Sequence, residues 1–177
     1  MLFSLKIESM AGVRTLVLNK TEVALKIQRI AWEIFEKHVN EETIYLVGIS
    51  KSGFWLAKQM LNVLGDISDL NLKLVEMEVN KKDPISGGIR MSIDVEELNN
   101  KCVVLIDDVL NSGKVLIYGA RYILSQPVKQ LTTAVLVDRN HKRYPVKADV
   151  KGLSLSTSMS EHVEVKIDKT TAEVYLH

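Results

Sequence analysis

The amino-acid sequence predicts a single α/β domain, with a mainly parallel central sheet flanked by helices and a small β-rich hood. Through the first three quarters of the chain, short apolar runs alternate with stretches in which apolar residues recur at helical spacing. Several of these runs contain no polar residue, which is typical of strands covered on both faces. A strand–helix–strand order favours right-handed crossovers and therefore parallel strands.

The composition is that of an ordinary globular protein. The chain has 177 residues, 46% of them hydrophobic and 25% charged, which fits one domain with a substantial core. The formal net charge is +1, so any attraction to nucleic acid must come from a local patch. Cys102 is the only cysteine and lies in an apolar run, so we expect a buried thiol and no disulfide within the chain.

The beginning of the sequence does not have the pattern of a signal peptide. Lys6 and Glu8 interrupt the apolar residues before a signal-peptide core can form. No apolar run approaches the span of a bilayer. We therefore expect a cytoplasmic protein with no membrane partner.

The first half of the chain contains two pairs of a strand and a helix. Residues 14–18 are predicted as a short strand and residues 44–49, IYLVGI, as a buried one. The second helix is expected to follow Gly53 and to end at Gly65. The first helix is predicted at residues 21–38, with an apolar stripe of Val23, Ile27, Ile30, Ala31, Ile34 and Phe35.

A polar segment, residues 80–92, follows a predicted strand at residues 72–79. Pro84, Gly87 and Gly88 interrupt this segment, so we expect a long loop. Loops of this length in compact domains are usually functional or disordered.

Residues 103–115, VVLIDDVLNSGKV, place two carboxylates at the end of an apolar run. Asp107 and Asp108 follow the predicted strand at residues 102–106, and a helix is expected at residues 113–125. A further buried strand, LTTAVLV, follows at 131–137. Open α/β sheets bind ligands in the crevice at the carboxyl ends of their strands, so we expect the carboxylates to face a ligand.

Three known phosphate-loop or turn patterns compete for this stretch. A Walker A loop needs glycine at the position of Asp108 and a hydroxyl residue at that of Val115, so it does not fit. The dinucleotide fingerprint G-x-G-x-x-G occurs nowhere in the sequence. A plain surface turn, capped by Asp108 at the start of a helix, remains the structural alternative.

The combination of residues favours a phosphorylated ribose as the ligand. A turn of small residues before a helix presents backbone N–H groups to an anion. Two carboxylates just ahead of that turn can bind the vicinal hydroxyls of a ribose, with Mg²⁺ nearby. Phosphate and sugar together indicate a ribose phosphate.

The stretch resembles the phosphoribosyl diphosphate (PRPP) motif of the type I phosphoribosyltransferases. The segment YLVGISKSGFWLA, residues 45–57, resembles the diphosphate-binding loop of that family and the helix that follows it. Residues 134–165 are most similar to the bifunctional pyrimidine operon attenuator and uracil phosphoribosyltransferase subfamily. IQRIAWEIFEKH resembles the N-terminal helix of the same subfamily.

The resemblance implies an Mg²⁺-dependent enzyme that joins a nucleobase to PRPP, with release of diphosphate and formation of a nucleoside monophosphate. A pyrimidine such as uracil is slightly preferred over a purine. The alternative is a nucleotide-sensing regulator of pyrimidine genes that binds messenger RNA. Type I members usually form dimers, and residues 1–5 are candidates for such an interface.

The resemblance also implies roles for individual residues. Asp107 and Asp108 would bind the ribose hydroxyls and the metal. The 5′-phosphate would lie on Val109, Leu110, Asn111, Ser112, Gly113 and Lys114. The diphosphate would lie near Lys51 and its neighbours Ser50, Ser52 and Gly53. The peptide bond between Ser50 and Lys51 is expected to be strained, and is sometimes cis in this family.

Two further groups of residues follow from the resemblance. Residues 80–92 would form a lid, with Arg90 or Lys82 as diphosphate contacts. The base would be selected by the hood, with Val137, Asp138 and Arg139 as its contacts.

Some positions depart from the pattern of the family. Val115 stands where threonine is usual, so one hydroxyl donor to the 5′-phosphate is missing. Ser52 and Met159 stand where the regulatory subfamily usually has arginine, which weakens contacts to diphosphate or RNA. The basic run HKRYPVK, residues 141–147, is either a solvated loop or an RNA contact.

The last part of the chain is predicted to form the hood. From residue 138 onward no long helical period remains. The segments VEVKI and AEVYL flank DKTT and indicate a hairpin. We therefore expect a core of about residues 14–137 and a hood of about residues 138–177 within one domain.

Overall fold

The computed structural model describes residues 14–80, 83–85, 88–158 and 161–177. A short 3₁₀ helix, Val95–Leu98, precedes the central strand. In chain order the other elements are β1 (Thr15–Leu18), α1 (Lys20–Lys37), β2 (Thr43–Ile49), α2 (Ser50–Ile67), β3 (Asn71–Val79), β4 (Ile89–Met91), β5 (Cys102–Leu110), α3 (Lys114–Ile123), β6 (Gln130–Asp138), β7 (Val150–Ser154), β8 (Val163–Asp168) and β9 (Thr171–Leu176).

Six strands form the large sheet, in the order β4-β3-β2-β5-β6-β7. All neighbours in this sheet are parallel except β3 and β4, which pair antiparallel. The central strands are buried on both faces, as their uninterrupted apolar runs predict. The predicted α/β class with a mainly parallel sheet is therefore confirmed.

The helices cover the two faces of the large sheet. α1 and α2 pack on one face and α3 packs on the other, because alternate strand residues enter two separate cores. The predicted stripe of α1 is buried, apart from Phe35, which is half-buried. A capping box between Asn19 and Glu22 begins this helix, since each side chain accepts from the other residue's backbone N–H.

A second sheet, in the order β1-β9-β8, replaces the expected hood of residues 138–177, and this sheet with the residues just before β8 is called the hood below. The predicted hairpin is present as the antiparallel pair β8 and β9. Sheet membership does not follow the expected boundary after residue 137, because β1 pairs with β9 in the hood and β7 pairs with β6 in the large sheet. The division into a core and a hood therefore stays a prediction at the level of domains.

Several boundaries differ from those expected. α2 begins at Ser50, directly after β2, and continues past Gly65. β5 continues through both carboxylates to Leu110, because its backbone pairing with β6 extends that far. The predicted loop at residues 80–92 contains β4, which extends the sheet at its edge.

Some expectations concern residues outside the described ranges. These are the candidate interface at residues 1–5 and the positions of Lys82, Gly87 and Met159. Within the described part of the chain, none of the helices has both the length and the apolarity that a bilayer crossing requires.

Candidate functional site

The topology of the large sheet creates a crevice between β2 and β5. The chain leaves β2 through α2 toward β3, whereas it leaves β5 through α3 toward β6 on the opposite side. Because α2 and α3 lie on opposite faces, the carboxyl ends of these two strands face an open crevice. Such a switch point is where open α/β sheets bind ligands.

A cavity of about 450 Å³ lies at the carboxyl end of β5. It brings both predicted carboxylates together with the whole predicted phosphate loop. The cavity is lined by Ser52, residues 107–116, Arg139 and residues 162–165.

Asp107 and Asp108 belong to the last part of β5 and contribute to the wall of this cavity. Asp107 is 6% exposed, and its Oδ1 accepts a hydrogen bond of 3.0 Å from the backbone N–H of Asp108. Asp108 is half-buried. The Asp107 carboxylate thus accepts from the backbone of the next residue, while the Asp108 carboxylate is more accessible to a ligand.

Gly53 allows the first turn of α2 to lie against the carboxyl end of β5. A Cβ atom at Gly53 would lie 2.7 Å from the carbonyl oxygen of Ile106 and 3.2 Å from the Cα of Asp107. Both contacts are shorter than packed atoms normally tolerate. Gly53 is therefore a packing residue beneath Asp107, and it does not line the cavity.

The predicted phosphate loop is a tight turn between β5 and α3. Gly113 caps α3 with a φ of 83°, a left-handed conformation that glycine adopts without penalty. The carbonyl of Ser112 accepts from the backbone N–H groups of Arg143, at 2.8 Å, and Tyr144, at 3.2 Å. The first N–H groups of a helix have no acceptor within it, so the start of α3 offers donors to an anion in the cavity.

Val115 lies in the first turn of α3 and also lines the cavity. The side chain at this position is therefore apolar where the resemblance leads us to expect a hydroxyl. Ser112 keeps one hydroxyl in the loop, and its Oγ accepts from the backbone N–H of Lys114 at 3.3 Å.

A second cavity, of about 440 Å³, lies at the carboxyl ends of β2 and β3. It brings together Lys51 and Arg90, the two described residues predicted to contact diphosphate. The cavity is lined by Ser50, Lys51, Glu76, Glu78, Val79, Asn80, Gly88 and Arg90.

Glu76 and Glu78 are cavity residues that sequence reasoning did not identify. They lie in β3, the neighbour of β2, and the carboxyl ends of adjacent parallel strands meet at one edge of a sheet. That rule predicts polar side chains at the end of β3, whereas the alternation within β3 predicts only which of its faces is buried.

Ser50 has a φ of 56°, so the backbone at the start of α2 is in the left-handed region. Non-glycine residues rarely adopt this conformation, so the backbone is strained at φ of Ser50, whereas the expected strain concerned the peptide bond that follows. The bond between Ser50 and Lys51, which is sometimes cis in the family it resembles, is trans here, because the described residues contain no cis peptide bond.

Two of the three predicted base contacts do not line either cavity. Val137 and Asp138 are 0% exposed. The carboxylate of Asp138 accepts from the backbone N–H of Asn140 at 3.0 Å, from Lys142 Nζ at 3.0 Å and from Lys151 Nζ at 3.5 Å. Asp138 is therefore a buried anion with partners within the protein, and only Arg139 of the three residues reaches the main cavity.

The surroundings of Asp138 favour its ionised form. Burial raises the pKa of the Asp138 carboxyl, but the hydrogen bonds from Asn140 and Lys142 and the charges of Lys142 and Lys151 outweigh it. The net result is a pKa below the ordinary value. This interaction also engages Lys142, so in the basic run only Arg143 and Lys147 are exposed cations.

The hood forms part of the wall of the main cavity. Residues just before and at the start of β8, among them His162 and Glu164, line it together with the predicted phosphate loop. β8 and β5 are in contact, which brings residues more than fifty positions apart to one cavity. No local pattern in the sequence indicated this contribution.

The donor set at the end of β5 fits Mg²⁺ in part. Mg²⁺ prefers oxygen ligands and is usually held by one or two carboxylates together with substrate phosphates and water. Asp107 and Asp108 supply that number of carboxylates. Across the described ranges no group of three acidic, histidine or cysteine side chains could hold a metal without a substrate.

The comparisons with known proteins agree with this geometry. The family described as phosphoribosyl transferase domain matches residues 15–170. The chain is 33% identical over 144 residues to the bifunctional protein PyrR of Streptococcus thermophilus, covering 80% of this chain and 83% of the relative. It is 29% identical over 170 residues to the bifunctional protein PyrR of Bacillus cereus, covering 89% and 92%.

Solved structures show the same fold. The hypoxanthine phosphoribosyltransferase of Trypanosoma cruzi has a TM-score of 0.73 and 16% identity, and the similarity covers 90% of this chain and 95% of that one. A hypoxanthine-guanine phosphoribosyltransferase of Bacillus anthracis has a TM-score of 0.68 and 16% identity, covering 81% and 83%. The family match, the relatives and the fold lead to one conclusion: the chain belongs to the phosphoribosyl transferase domain family.

Proposed function

We propose that this protein transfers the 5-phosphoribosyl group from PRPP to a nucleobase, preferably a pyrimidine such as uracil, with release of diphosphate. The observation that carries the proposal is the single cavity shared by the Asp107–Asp108 pair and the phosphate loop. A ribose phosphate needs both features side by side.

The two cavities suggest how PRPP lies in the site. Its 5′-phosphate lies on residues 109–114, at the start of α3, and its ribose hydroxyls face Asp107 and Asp108. The diphosphate extends toward the second cavity, where Lys51 and Arg90 supply positive charge. Asp107 and Asp108 would hold Mg²⁺, which would offset the negative charge of the diphosphate.

The reaction breaks the bond between C1′ and the diphosphate oxygen and forms a bond between C1′ and a ring nitrogen of the base. Positive charge develops on the sugar, and the carboxylates of Asp107 and Asp108 stabilise it. The electron pair of the broken bond leaves with diphosphate, and Lys51 and Arg90 stabilise the departing charge. The ring nitrogen gives its proton to water as the new bond forms.

The preference for a pyrimidine rests on sequence similarity. The relatives named bifunctional protein PyrR share 28% to 33% identity with this chain over most of its length. The hypoxanthine enzymes share only 16%, so their similarity bears on the fold and not on the base. The resemblance to the uracil subfamily therefore supports the proposed base.

The alternative function is an RNA-binding regulator that senses nucleotides through the same cavity. The exposed cations Arg143 and Lys147 support it, because RNA phosphates are bound by such side chains. Lys142 contributes less to this surface, since its ammonium group contacts the buried carboxylate of Asp138.

A panel of nucleobases tests the enzyme. Purified protein is incubated with PRPP, Mg²⁺ and uracil, hypoxanthine, guanine, xanthine or adenine, and diphosphate release is measured. We expect uracil to react fastest. Asp107→Asn with Asp108→Asn should lower turnover by about a hundredfold or more, because charge stabilisation at the sugar is lost.

A matched control makes the same charge change far from the cavity. Asp66→Asn with Asp69→Asn alters exposed carboxylates at the end of α2 and just beyond it, and turnover should be unchanged. If no base reacts while PRPP still binds, the transferase proposal fails and the regulator gains support.

The regulator alternative has its own test. Arg143→Ala with Lys147→Ala should make the salt dependence of RNA binding shallower by about one to two log units per log salt.

A further inference from the structure

Arg139 links the phosphate loop to the hood through a single buried side chain. It is 4% exposed, although arginine is rarely buried without a partner. Its backbone N–H donates to the carbonyl of Leu110 at 3.0 Å, so the residue is anchored to the end of β5. From that anchor its guanidinium reaches two separate segments.

The first segment is the phosphate loop. One Nη atom of Arg139 donates to Oδ1 of Asn111 at 3.0 Å. Asn111 is itself exposed and lines the main cavity. The hydrogen bond therefore restrains a side chain that would otherwise be mobile at the entrance of the loop.

The second segment leads into the hood strand β8, and its described contacts are at Thr157 and Glu161. Nε and the other Nη atom donate to the hydroxyl of Thr157, both at 3.1 Å. The same Nη donates to the carbonyl of Glu161 at 2.5 Å. The planar fork of the guanidinium thus holds hood and loop in one fixed relation.

The guanidinium of Arg139 forms no direct ion pair among the described residues, although its charge, after the hydrogen bonds from Ser158, also lowers the pKa of the nearby Glu161 carboxyl. All of its acceptors described above are neutral oxygens. Among the described residues no carboxylate oxygen lies within 4.0 Å of the guanidinium. The carboxylate of Glu161 accepts from the backbone N–H of Ser158 instead. A buried cation whose hydrogen bonds all go to neutral oxygens is costly, and an anion bound at the adjacent loop would lower that cost.

We infer that Arg139 is a positioning residue for the 5′-phosphate: it holds Asn111 and the hood in place and supplies the buried positive charge that a phosphate at the loop requires. This inference rests on the proposed function. It differs from the base contact that the family resemblance implies for Arg139. Loss of the residue should therefore affect ligands that carry the phosphate, and not the free base.

Ligand pairs that differ only in the phosphate test this inference. Binding of ribose 5-phosphate, ribose and PRPP to the full chain is measured by calorimetry for the wild type, Arg139→Lys and Arg139→Gln. We expect Arg139→Gln to weaken ribose 5-phosphate and PRPP about tenfold or more, and Arg139→Lys to weaken them less, since it keeps the charge but loses the fork. In turnover, KM for PRPP should rise while KM for the base stays nearly constant.

A second variant tests the same contact without removing the buried arginine, in case the Arg139 variants do not fold. Thr157→Val removes the hood acceptor but keeps the shape of a partly exposed side chain, and should weaken ribose 5-phosphate by about threefold. Arg29→Gln is the matched control, because Arg29 also joins two elements, donating to the carbonyls of Lys151 and Gly152 away from the cavity. It should leave ribose 5-phosphate binding unchanged.

The outcomes separate this inference from the proposed function. A larger rise in KM for the base than for PRPP in Arg139→Gln would overturn the inference and support a base contact. Equal weakening by Arg29→Gln would also overturn it, because the effect would then be general instability. If the wild type transfers to no base yet binds ribose 5-phosphate, the transferase proposal fails, and the Arg139 variants still decide the inference.

Discussion

Carboxylates at the carboxyl ends of two neighbouring strands differ in whether they face a cavity or are covered by the protein. Asp107 and Asp108 lie in the last part of β5 and line the main cavity. Asp138 ends β6, the adjacent strand, yet it is covered by Lys142 and Lys151. The carboxyl end of a strand therefore lines a cavity at β5, whereas at β6 two lysine side chains cover it.

A buried histidine provides a test at the scale of one residue. His38 caps the end of α1 and is 1% exposed, with Nε2 at 3.2 Å from the hydroxyl of Thr132. Its Nδ1 is buried and has no hydrogen-bond partner among the described residues. Burial lowers the pKa of His38 below its ordinary value of 6.5, although the nearby Glu41 carboxylate acts in the opposite direction.

We expect His38 to make the protein less stable in acid. In the folded state the imidazole stays neutral below the ordinary pKa, whereas in the unfolded state it takes up a proton there. The unfolded state thus binds more protons, and the free energy of unfolding falls as the pH drops below 6.5. His38→Gln removes the titration, so its stability should fall less between about pH 7.5 and pH 5.5. Denaturant titrations across this pH range measure the free energy of unfolding of both proteins. An equal dependence on pH for the wild type and His38→Gln would contradict the role given to His38.

At the scale of elements, the start of α2 decides how the two cavities are built. The helix begins immediately at the end of β2 with Ser50 in a left-handed conformation, and its first turn passes over β5. This close approach requires the absence of a side chain at Gly53. The second cavity includes Lys51, and the main cavity includes Ser52, so one helical turn contributes to both.

Two glycines of α2 should respond to alanine in opposite ways. In Gly53→Ala the new methyl group would lie 2.7 Å from the carbonyl oxygen of Ile106, which is fixed in the sheet. We expect a loss of about 1 to 3 kcal/mol in the free energy of unfolding, together with reduced turnover. Gly65→Ala meets no atom within 4 Å and should stabilise the helix by about 0.5 to 1 kcal/mol. Thermal unfolding of both variants tests this, and a stable, fully active Gly53→Ala protein would refute the packing argument.

At the scale of the whole molecule, the two sheets share one apolar core. Residues of the hood such as Val163 and Val174 belong to the same buried cluster as α1, α2 and one face of the large sheet. β1 and β9 pair across almost the full length of the chain. The hood therefore has no separate core of its own.

We expect the hood and the large sheet to unfold in one transition, because they share this core. Trp55 of α2 reports on the hood, since its Nε1 donates to the carbonyl of Lys169 at 2.8 Å in the turn between β8 and β9. Trp32→Phe removes the other of the two tryptophans, at an exposed position. Fluorescence of Trp55 and far-ultraviolet circular dichroism should then give the same midpoint. An earlier change in fluorescence would show that the hood unfolds independently.

The sequence by itself determined the features that depend on neighbouring residues. Helical spacing gave α1 its buried stripe, uninterrupted apolar runs identified the central strands, and the small residues after Asp107 and Asp108 indicated the phosphate loop. These features are local, because the periodicity of a helix or a strand and the conformation of a tight turn depend on only a few neighbouring residues.

Only the tertiary structure decided which distant polar groups meet. It placed Asp138 with Lys151, Arg139 with Thr157 and Asn111, and Glu76 in the cavity of Lys51. The tertiary structure also shows that β1 belongs to the hood sheet and β7 to the large sheet. Such pairings depend on strand order and on which charges must be neutralised once buried, and both are set by the packing of the whole chain, not by any local pattern.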